Sequence, residues 1–439
     1  MKARREPAKS KVSSTSRPHV RPRRGIAAAD LWVLRIMAQF SPRLLKNLDL
    51  DCEPLQRLLR YRNGEGDALS ASQLGKRVKT LLEDAEQRPV RRTTTVDRRL
   101  RKISELLALD AVERDVLAFF VAAELGSLKI VVGHVAQLAV VQLTEVLGKT
   151  LKVPKNRIGA ALQRGGTLRA SGLVDLDGDD RLFRRVDLAP ALGETIYSSH
   201  GSITEVFSSF FAPAPAAART LGDFAYLKAD LTLISRTLDV AMNERREGAN
   251  VLLYGPPGTG KTELVRVLAR HLRAELYEVS HQDADNDSLS GWQRFRHYML
   301  CQRILSRKPH ALILFDEIED VIPHHLSLLF SGEKEHGKRK AWINKLLETN
   351  RTPAVWVSNR VNYIDPAILR RFDHLLEIPV PPLRARERIV RKYGARLGIT
   401  ADAASPIARN EKLTPADVER ASKVVARADF DADSAPDSS

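Results

Sequence analysis

"VLLYGPPGTGKTELVRVLARHL", residues 251–272, decides how this chain folds. An apolar run reaches Tyr254, as suits a buried strand, and the pattern of "TELVRVLARHL" that follows is helical. Between them Gly255–Thr262 has the spacing G-x-x-x-x-G-K-[ST]. Glycines there let backbone amides turn inward around phosphate oxygens, and the start of the helix adds partial positive charge. Lys261 is expected to span the outer phosphates of a bound nucleotide, and the Thr262 hydroxyl suits a magnesium ion. The whole stretch Gly255, Pro256, Pro257, Gly258, Thr259, Gly260, Lys261 and Thr262 is therefore expected to form one phosphate cradle.

Working outward, strand patterns alternate with helical ones at Val251–Tyr254, Leu276–Val279, Ala311–Phe315, Ala354–Ser358 and Leu375–Ile378. Such alternation predicts a parallel sheet flanked by helices. "ALILFDEIED" ends its strand in Asp316 and Glu317. The first is placed to bind Mg2+ and the second to activate an attacking water. Glu319 and Asp320 read as a solvated helix start. "AVWVSNR" ends in Asn359, whose amide is placed to orient that water. "DPAILRRFDH", residues 365–374, puts Arg370 and Arg371 side by side; they are either a solvated surface pair or a pair reaching for a charge on another chain.

These four stretches, in this order, resemble the AAA-type ATPases, P-loop enzymes built as rings. "GPPGTGKT" is similar to that family's Walker A element, "LFDEIE" to Walker B, "SNR" to sensor 1, and "IDPAILRRFD" to the end of the second region of homology. The likeness covers about residues 215–425. It implies ATP and Mg2+ as cofactors, with Thr262 and Asp316 as the metal residues. It also implies a homo-oligomeric ring, taken as a hexamer, in which Arg370 or Arg371 crosses to the neighbouring subunit's γ-phosphate. The family spaces its two arginines; here they are adjacent, which leaves open which one reaches. Leu289, Ser290 and Gly291 match the family's central-pore loop, with Trp292 beside it, and the competing reading packs Leu289 and Trp292 at an interface. Phe224 and Tyr226 in "LGDFAYLKADL" match the segment that packs on adenine. "NEKLTPADVERASKVV" matches the third lid helix but has "TPAD" where other branches place a nucleotide-sensing arginine, which favours the protein-remodelling branch.

The N-terminal half reads differently. Residues 27–125 are helical, most clearly in "LDAVERDVLAFFVAAEL", where Asp110 and Glu113 form a capping box. Residues 126–205 show a helix opened at Pro154. Two short runs, Leu173–Leu176 and Leu182–Val186, follow around an Asp-Gly turn, so a hairpin and a winged-helix-like domain are expected. Arg164, Arg169, Arg184 and Arg185 are its available cations. "DLDGDD" fails the calcium-loop pattern, because Asp180 stands where glycine is needed and Val186 where glutamate is needed. A Pro/Ala linker occupies 206–220, the ATPase core 221–380, a small helical lid 381–428, and a polar tail 429–439.

The expected fold class is therefore α/β, a P-loop parallel sheet with a helical lid, behind a mainly helical N-terminal region.

The formal charge of +16 is uneven: residues 1–25 hold nine Lys/Arg against one Glu, so half of it sits in a basic tail too poor in apolar groups to fold. Two cysteines, Cys52 and Cys301, fit neither a disulfide framework nor zinc spacing and point to a reducing, cytoplasmic setting. No apolar run approaches a membrane span. His324, His325 and His336 read as solvated. A protein client held by the N-terminal region is the leading expectation, and nucleic acid contacted by the hairpin and tail is the alternative.

Overall fold

The computed structural model describes residues 26–45, 48, 52–60, 70–91, 94–124, 126–137, 142–176, 186–189, 192–198, 207–283, 286–321, 342–395 and 400–433. The basic tail, Arg184, Arg185, the three histidines of the 322–341 stretch and residues 434–439 lie outside them. Two compact units divide between Thr94 and Thr95.

The first unit holds helices α1 (Ala28–Gln39), α2 (Glu53–Leu59) and α3 (Ala71–Glu86). Strands β1 (Ile26–Ala27) and β2 (Val90–Arg91) pair in parallel beside them. Leu31, Leu34, Leu55, Leu74 and Val78 are buried on one face of these helices, as amphipathic periodicity requires.

The second unit opens with α4 (Thr95–Leu107), α5 (Ala111–Ala123), α6 (Gly126–Gln137), α7 (Leu143–Leu151), α8 (Lys155–Leu162) and α9 (Thr167–Ala170). Helix α5 carries the expected capping box at Asp110 and Glu113, and Pro154 caps α8. The hairpin forms from β3 (Val174–Leu176) and β4 (Val186–Leu188), antiparallel, with Asp175 opposite Asp187. The second expected strand run falls mostly outside the described residues; its ladder begins at Val186. Helix α10 (Leu192–Ser198) follows. Among the described residues no single helix is long and apolar enough to cross a membrane, and the bent pair α5–α6 passes that test only jointly.

The rest builds one six-stranded sheet. Its strands are β5 (Phe211–Pro213), β6 (Asn250–Tyr254), β7 (Glu275–Val279), β8 (Ala311–Phe315), β9 (Ala354–Ser358) and β10 (His374–Glu377), in the order β10-β6-β9-β8-β7-β5. All neighbours run parallel except β5, which pairs antiparallel with β7. The sheet is thus mixed where a parallel one was expected. Strand β5 comes from the front of the Pro/Ala linker: its Pro213 ends the strand at the sheet edge, where a missing N–H is tolerated.

The chain continues through helices α11 (Lys228–Glu244), α12 (Lys261–His271), α13 (Gly291–Leu305), α14 (342–349), α15 (Pro366–Leu369), α16 (Leu383–Gly394), α17 (Ala401–Ala408) and α18 (Pro415–Asp433). Helix α18 therefore runs into the stretch expected as a polar tail.

Period-two alternation assigns the two sheet faces. Val251, Leu253, Leu312, Leu314, Val355 and Val357 pack with Leu264, Val265 and Leu268 of α12 and with Ile234 and Leu238 of α11. The intervening Phe315 and Trp356 meet Tyr298 of α13 on the other face, with ring centroids 5.9 and 4.6 Å away. Both faces are covered, which is why these strands read as unbroken apolar runs.

Candidate active site

The phosphate loop leaves the end of β6. Gly255 has φ +140°, and a Cβ there would lie 2.4 Å from the Ile378 carbonyl oxygen. Only glycine permits this turn beside the strand end. Lys261 opens α12 and is 5% exposed. Its Nζ donates to the carbonyls of Gly255 (2.9 Å) and Pro256 (2.8 Å), so the amine is folded over the loop. Burial pulls its pKa below that of an ordinary lysine, and the charges of Asp316 and Glu319 oppose that shift. The Thr259 hydroxyl donates to Pro256 O at 3.0 Å and closes the loop internally.

Strand β8 delivers Asp316 beside the loop, where the Thr262 hydroxyl donates to Asp316 Oδ2 at 2.6 Å. A hydroxyl and a carboxylate at hydrogen-bond distance are the donor pair that a nucleotide-bound Mg2+ takes from protein, its other positions going to water and phosphate. The residues present therefore fit that ion. Glu317 has left-handed backbone (φ 52°, ψ 54°), uncommon for a residue with a Cβ. Its amide donates to Asp316 Oδ1 at 2.9 Å. His281, two residues past β7, brings Nδ1 to 3.8 Å from Glu317 Oε2. Asn359 follows β9, and its amide donates to Glu319 Oε1 at 2.9 Å. Glu319 is thus a bound support rather than part of a solvated helix start.

A single cavity of about 530 Å3 brings together Pro257, Gly258, Gly260, Lys261, Thr262, Asp316, Glu317 and Asn359. The far wall was not anticipated. Phe224 lies in the core and neither it nor Tyr226 lines the cavity; Ala216, Ala218 and Arg219 of the linker do, with Tyr393, Ala416 and Glu419. Arg270 of α12 fastens the linker by donating to the carbonyls of Ala217 (3.0 Å) and Arg219. The start of α18 closes the cavity, with the Ala416 amide donating to Gly258 O at 3.2 Å.

Arg370 and Arg371 stand outside this cavity. Both are exposed at the end of α15, and Arg371 pairs with Glu348 of its own chain at 2.5 Å.

Helix α13 supports the site from behind. Arg294, 2% exposed, donates to the carbonyls of Asp316 and Glu317 and lies 4.8 Å over the Phe315 ring. Two residues on, Arg296 faces the hairpin. It donates to Gly172 O (3.0 Å), Leu173 O (3.3 Å) and Asp187 O (2.9 Å) and pairs with the Asp187 carboxylate at 2.6 Å. Trp292 Nε1 donates to Asp175 Oδ2 at 3.0 Å, so this ring is engaged with β3. Ser290 caps the helix and Gly291 is its first residue. Arg169 is also turned inward, to Leu176 O and the Asp175 carboxylate.

Residues 251–380 match the family described as "ATPase family associated with various cellular activities (AAA)". A 26S proteasome regulatory subunit 6B homolog from Encephalitozoon cuniculi is 28% identical over 178 residues, 38% of this chain and 45% of its own. The proteasome-activating nucleotidase of Sulfurisphaera tokodaii is 31% identical over 149 residues, 33% of this chain and 38% of its own. Among solved structures, the Holliday junction branch migration motor RuvB of Thermotoga maritima overlaps 49% of this chain and 67% of its own, at 20% identity and a TM-score of 0.36. The chain spans less than half the length of these curated relatives. With the phosphate loop, the Asp316–Glu317 strand end and Asn359 gathered on one cavity, residues 251–380 are a P-loop ATPase domain of the AAA family, carried behind a helical N-terminal region.

Proposed function

We propose that this protein is an Mg-ATP-dependent ring ATPase that remodels a protein or a protein assembly. The observation that carries the reading is the meeting of Lys261, Thr262, Asp316, Glu317 and Asn359 on one cavity. In this reading Lys261 turns from its loop carbonyls to the outer phosphates. Thr262 and Asp316 hold Mg2+, which supplies charge neutralisation on the phosphate oxygens. Glu317 takes a proton from the attacking water as the bond to the leaving ADP oxygen breaks, and Asn359 orients that water. The left-handed backbone at Glu317, whose carbonyl Arg294 holds, supports this reading by setting Glu317 on the cavity wall.

Arg370 and Arg371 are exposed and do not line their own subunit's cavity, which accords with a role at a neighbour's nucleotide. The Arg371–Glu348 pair is about half exposed on both sides. Such a pair contributes about 0–1 kcal/mol, so little opposes its exchange for a phosphate. The hairpin with α7–α9 is read as a winged-helix-like domain that docks the client, and α16–α18 as the lid. A reducing, cytoplasmic setting suits the free thiols of Cys52 and Cys301.

The test is ATP turnover per subunit against protein concentration. Turnover should rise with concentration as rings assemble, and Arg371→Ala should lower the plateau by on the order of 10³ while leaving nucleotide binding intact. Concentration-independent turnover, unchanged by substitution at either arginine, would remove the shared site.

A further inference from the structure

Arg219 is a charged group that this fold buries without an obvious reason. It stands at the end of the linker, one residue before Thr220 caps the next turn, and is 6% exposed. Among the described residues no carboxylate forms a salt bridge with it, and the charges of Asp223 and Glu419 act on it only through space. Its Nη2 reaches the Tyr393 hydroxyl only at 3.5 Å, and its Cζ lies 6.0 Å from that ring's centroid. Both contacts sit at the outer edge of their kind. Glu419, the carboxylate on the same wall, is already held by Lys423 at 2.8 Å and by the Tyr393 hydroxyl at 3.3 Å. A guanidinium taken from water and given so little in return is unfavourable unless an anion completes it.

The surroundings hold it there deliberately. Its amide donates to Glu263 Oε1 at 2.8 Å, and Arg270 takes its carbonyl and that of Ala217, so three bonds pin the backbone to α12. Its Nη1 lies 3.2 Å from where a Cβ on Gly260 would stand. Gly260, at φ +95°, is thus needed twice, once for its backbone and once to admit this guanidinium. Arg219 lines the same cavity as Lys261, Thr262 and Asp316 but reaches it from the Tyr393 side.

We propose that Arg219 is a second phosphate-binding cation of this cavity, contacting the phosphates that nucleoside di- and triphosphates share. Lys261 is drawn to the opposite end of the loop, at the Gly255 and Pro256 carbonyls, and the terminal phosphate belongs beside Thr262, Asp316 and Glu317. Arg219, over the last loop residue, meets the phosphates nearer the sugar. The linker entering from β5 therefore completes the nucleotide pocket, and its Arg219 end is a binding element rather than a spacer. This assignment rests on the reading of the cavity as a nucleotide site.

The experiment is titration of the full-length chain, and of Lys261→Ala, Arg219→Ala and Arg219→Lys variants, with ADP and with a non-hydrolysable ATP analogue, alongside melting of each unliganded protein. Arg219→Ala should weaken both nucleotides alike, by on the order of tenfold or more, with Arg219→Lys between it and wild type. The unliganded Arg219→Ala protein should melt no lower than wild type, because no ion pair is lost; a purely structural arginine would instead lower that temperature and leave affinity intact. Affinities within twofold of wild type in Arg219→Ala, with Lys261→Ala defective, overturn the Arg219 assignment alone. A wild-type chain that takes up neither nucleotide overturns it together with the nucleotide reading.

Discussion

Single residues here are set by their immediate chemistry. Glu317 is expected to serve in the chemical step but not in binding. Glu317→Gln should cut phosphate release by about 10²–10⁴ while retaining ATP, measured by single-turnover release and nucleotide retention on the filtered protein. His297 of α13 has a different role. It is 1% exposed, edge-on to Phe210 at 4.7 Å, and among the described residues neither ring nitrogen has a hydrogen-bond partner. Burial, then the charges of Arg296 and Arg294, push its pKa down to about 3. The unfolded chain binds this proton at an ordinary pKa of about 6.5 and the folded chain does not. Stability is therefore unaffected by this group above pH 6.5 and is lost progressively as pH falls from there toward 3. His297→Phe, which keeps a ring against Phe210, should flatten the fall of melting temperature between pH 6.5 and 4.5 relative to wild type; parallel curves would rule out His297 as a source of it. At this scale the sequence was legible wherever backbone chemistry dictates a spacing, as from Gly255 to Thr262. It was mute on Arg219 and Arg294, whose importance comes from what other segments bring to them. The one available signal for Arg294 was two arginines and a histidine within a single turn of a helix that turns out to be buried all round.

Among the elements, α13 joins the sheet, the site and the hairpin. It touches the sheet through Tyr298, the Asp316–Glu317 carbonyls through Arg294, and the hairpin through Trp292 and Arg296. Its partners on the hairpin differ in exposure, and that decides which change is costly. The Asp187 carboxylate is 67% exposed, so solvent can replace the guanidinium there. The Gly172 and Leu173 carbonyls it also serves are met by buried bonds. Arg296→Ala should therefore destabilise by on the order of 3 kcal/mol, whereas Asp187→Asn should cost less than about 1 kcal/mol. Denaturant unfolding of the two variants checks the ranking. Of the five strands of the parallel set, β6, β8 and β9 stood out in the sequence because both of their faces are buried. Strand β5 did not, since Pro213 and the alanines after it read as a linker and only the edge of β7 gives "FAP" a partner. The hairpin's purpose was equally hidden: Asp175 and Asp187 look like turn acids until α13 arrives with a tryptophan and an arginine.

For the whole molecule, the proposed ring is the level at which the exposed Arg370 and Arg371 would acquire a purpose. Light scattering of Glu317→Gln with ATP should show a large assembly that dissociates when the nucleotide is exchanged for none. The same measurement on the Arg371→Ala, Glu317→Gln double variant should show a weaker one, and monomers under both conditions would exclude nucleotide-bridged assembly. The sequence told of two halves with unlike patterning, but not that the hairpin leans on the ATPase domain itself. Gly172 records how closely they meet: with φ +75°, a Cβ there would stand 2.7 Å from the Arg296 carbonyl oxygen. That proximity limits how the protein can be recombined. Grafting residues 95–213 onto an unrelated motor would bring a surface cut to fit one helix, so the graft would have to take α13 along or find a recipient whose own helix offers a tryptophan and an arginine four residues apart. The boundary at which this chain can be exchanged for another therefore falls after Leu305, well inside the ATPase fold, and not at the proline-rich stretch that looks like its natural seam.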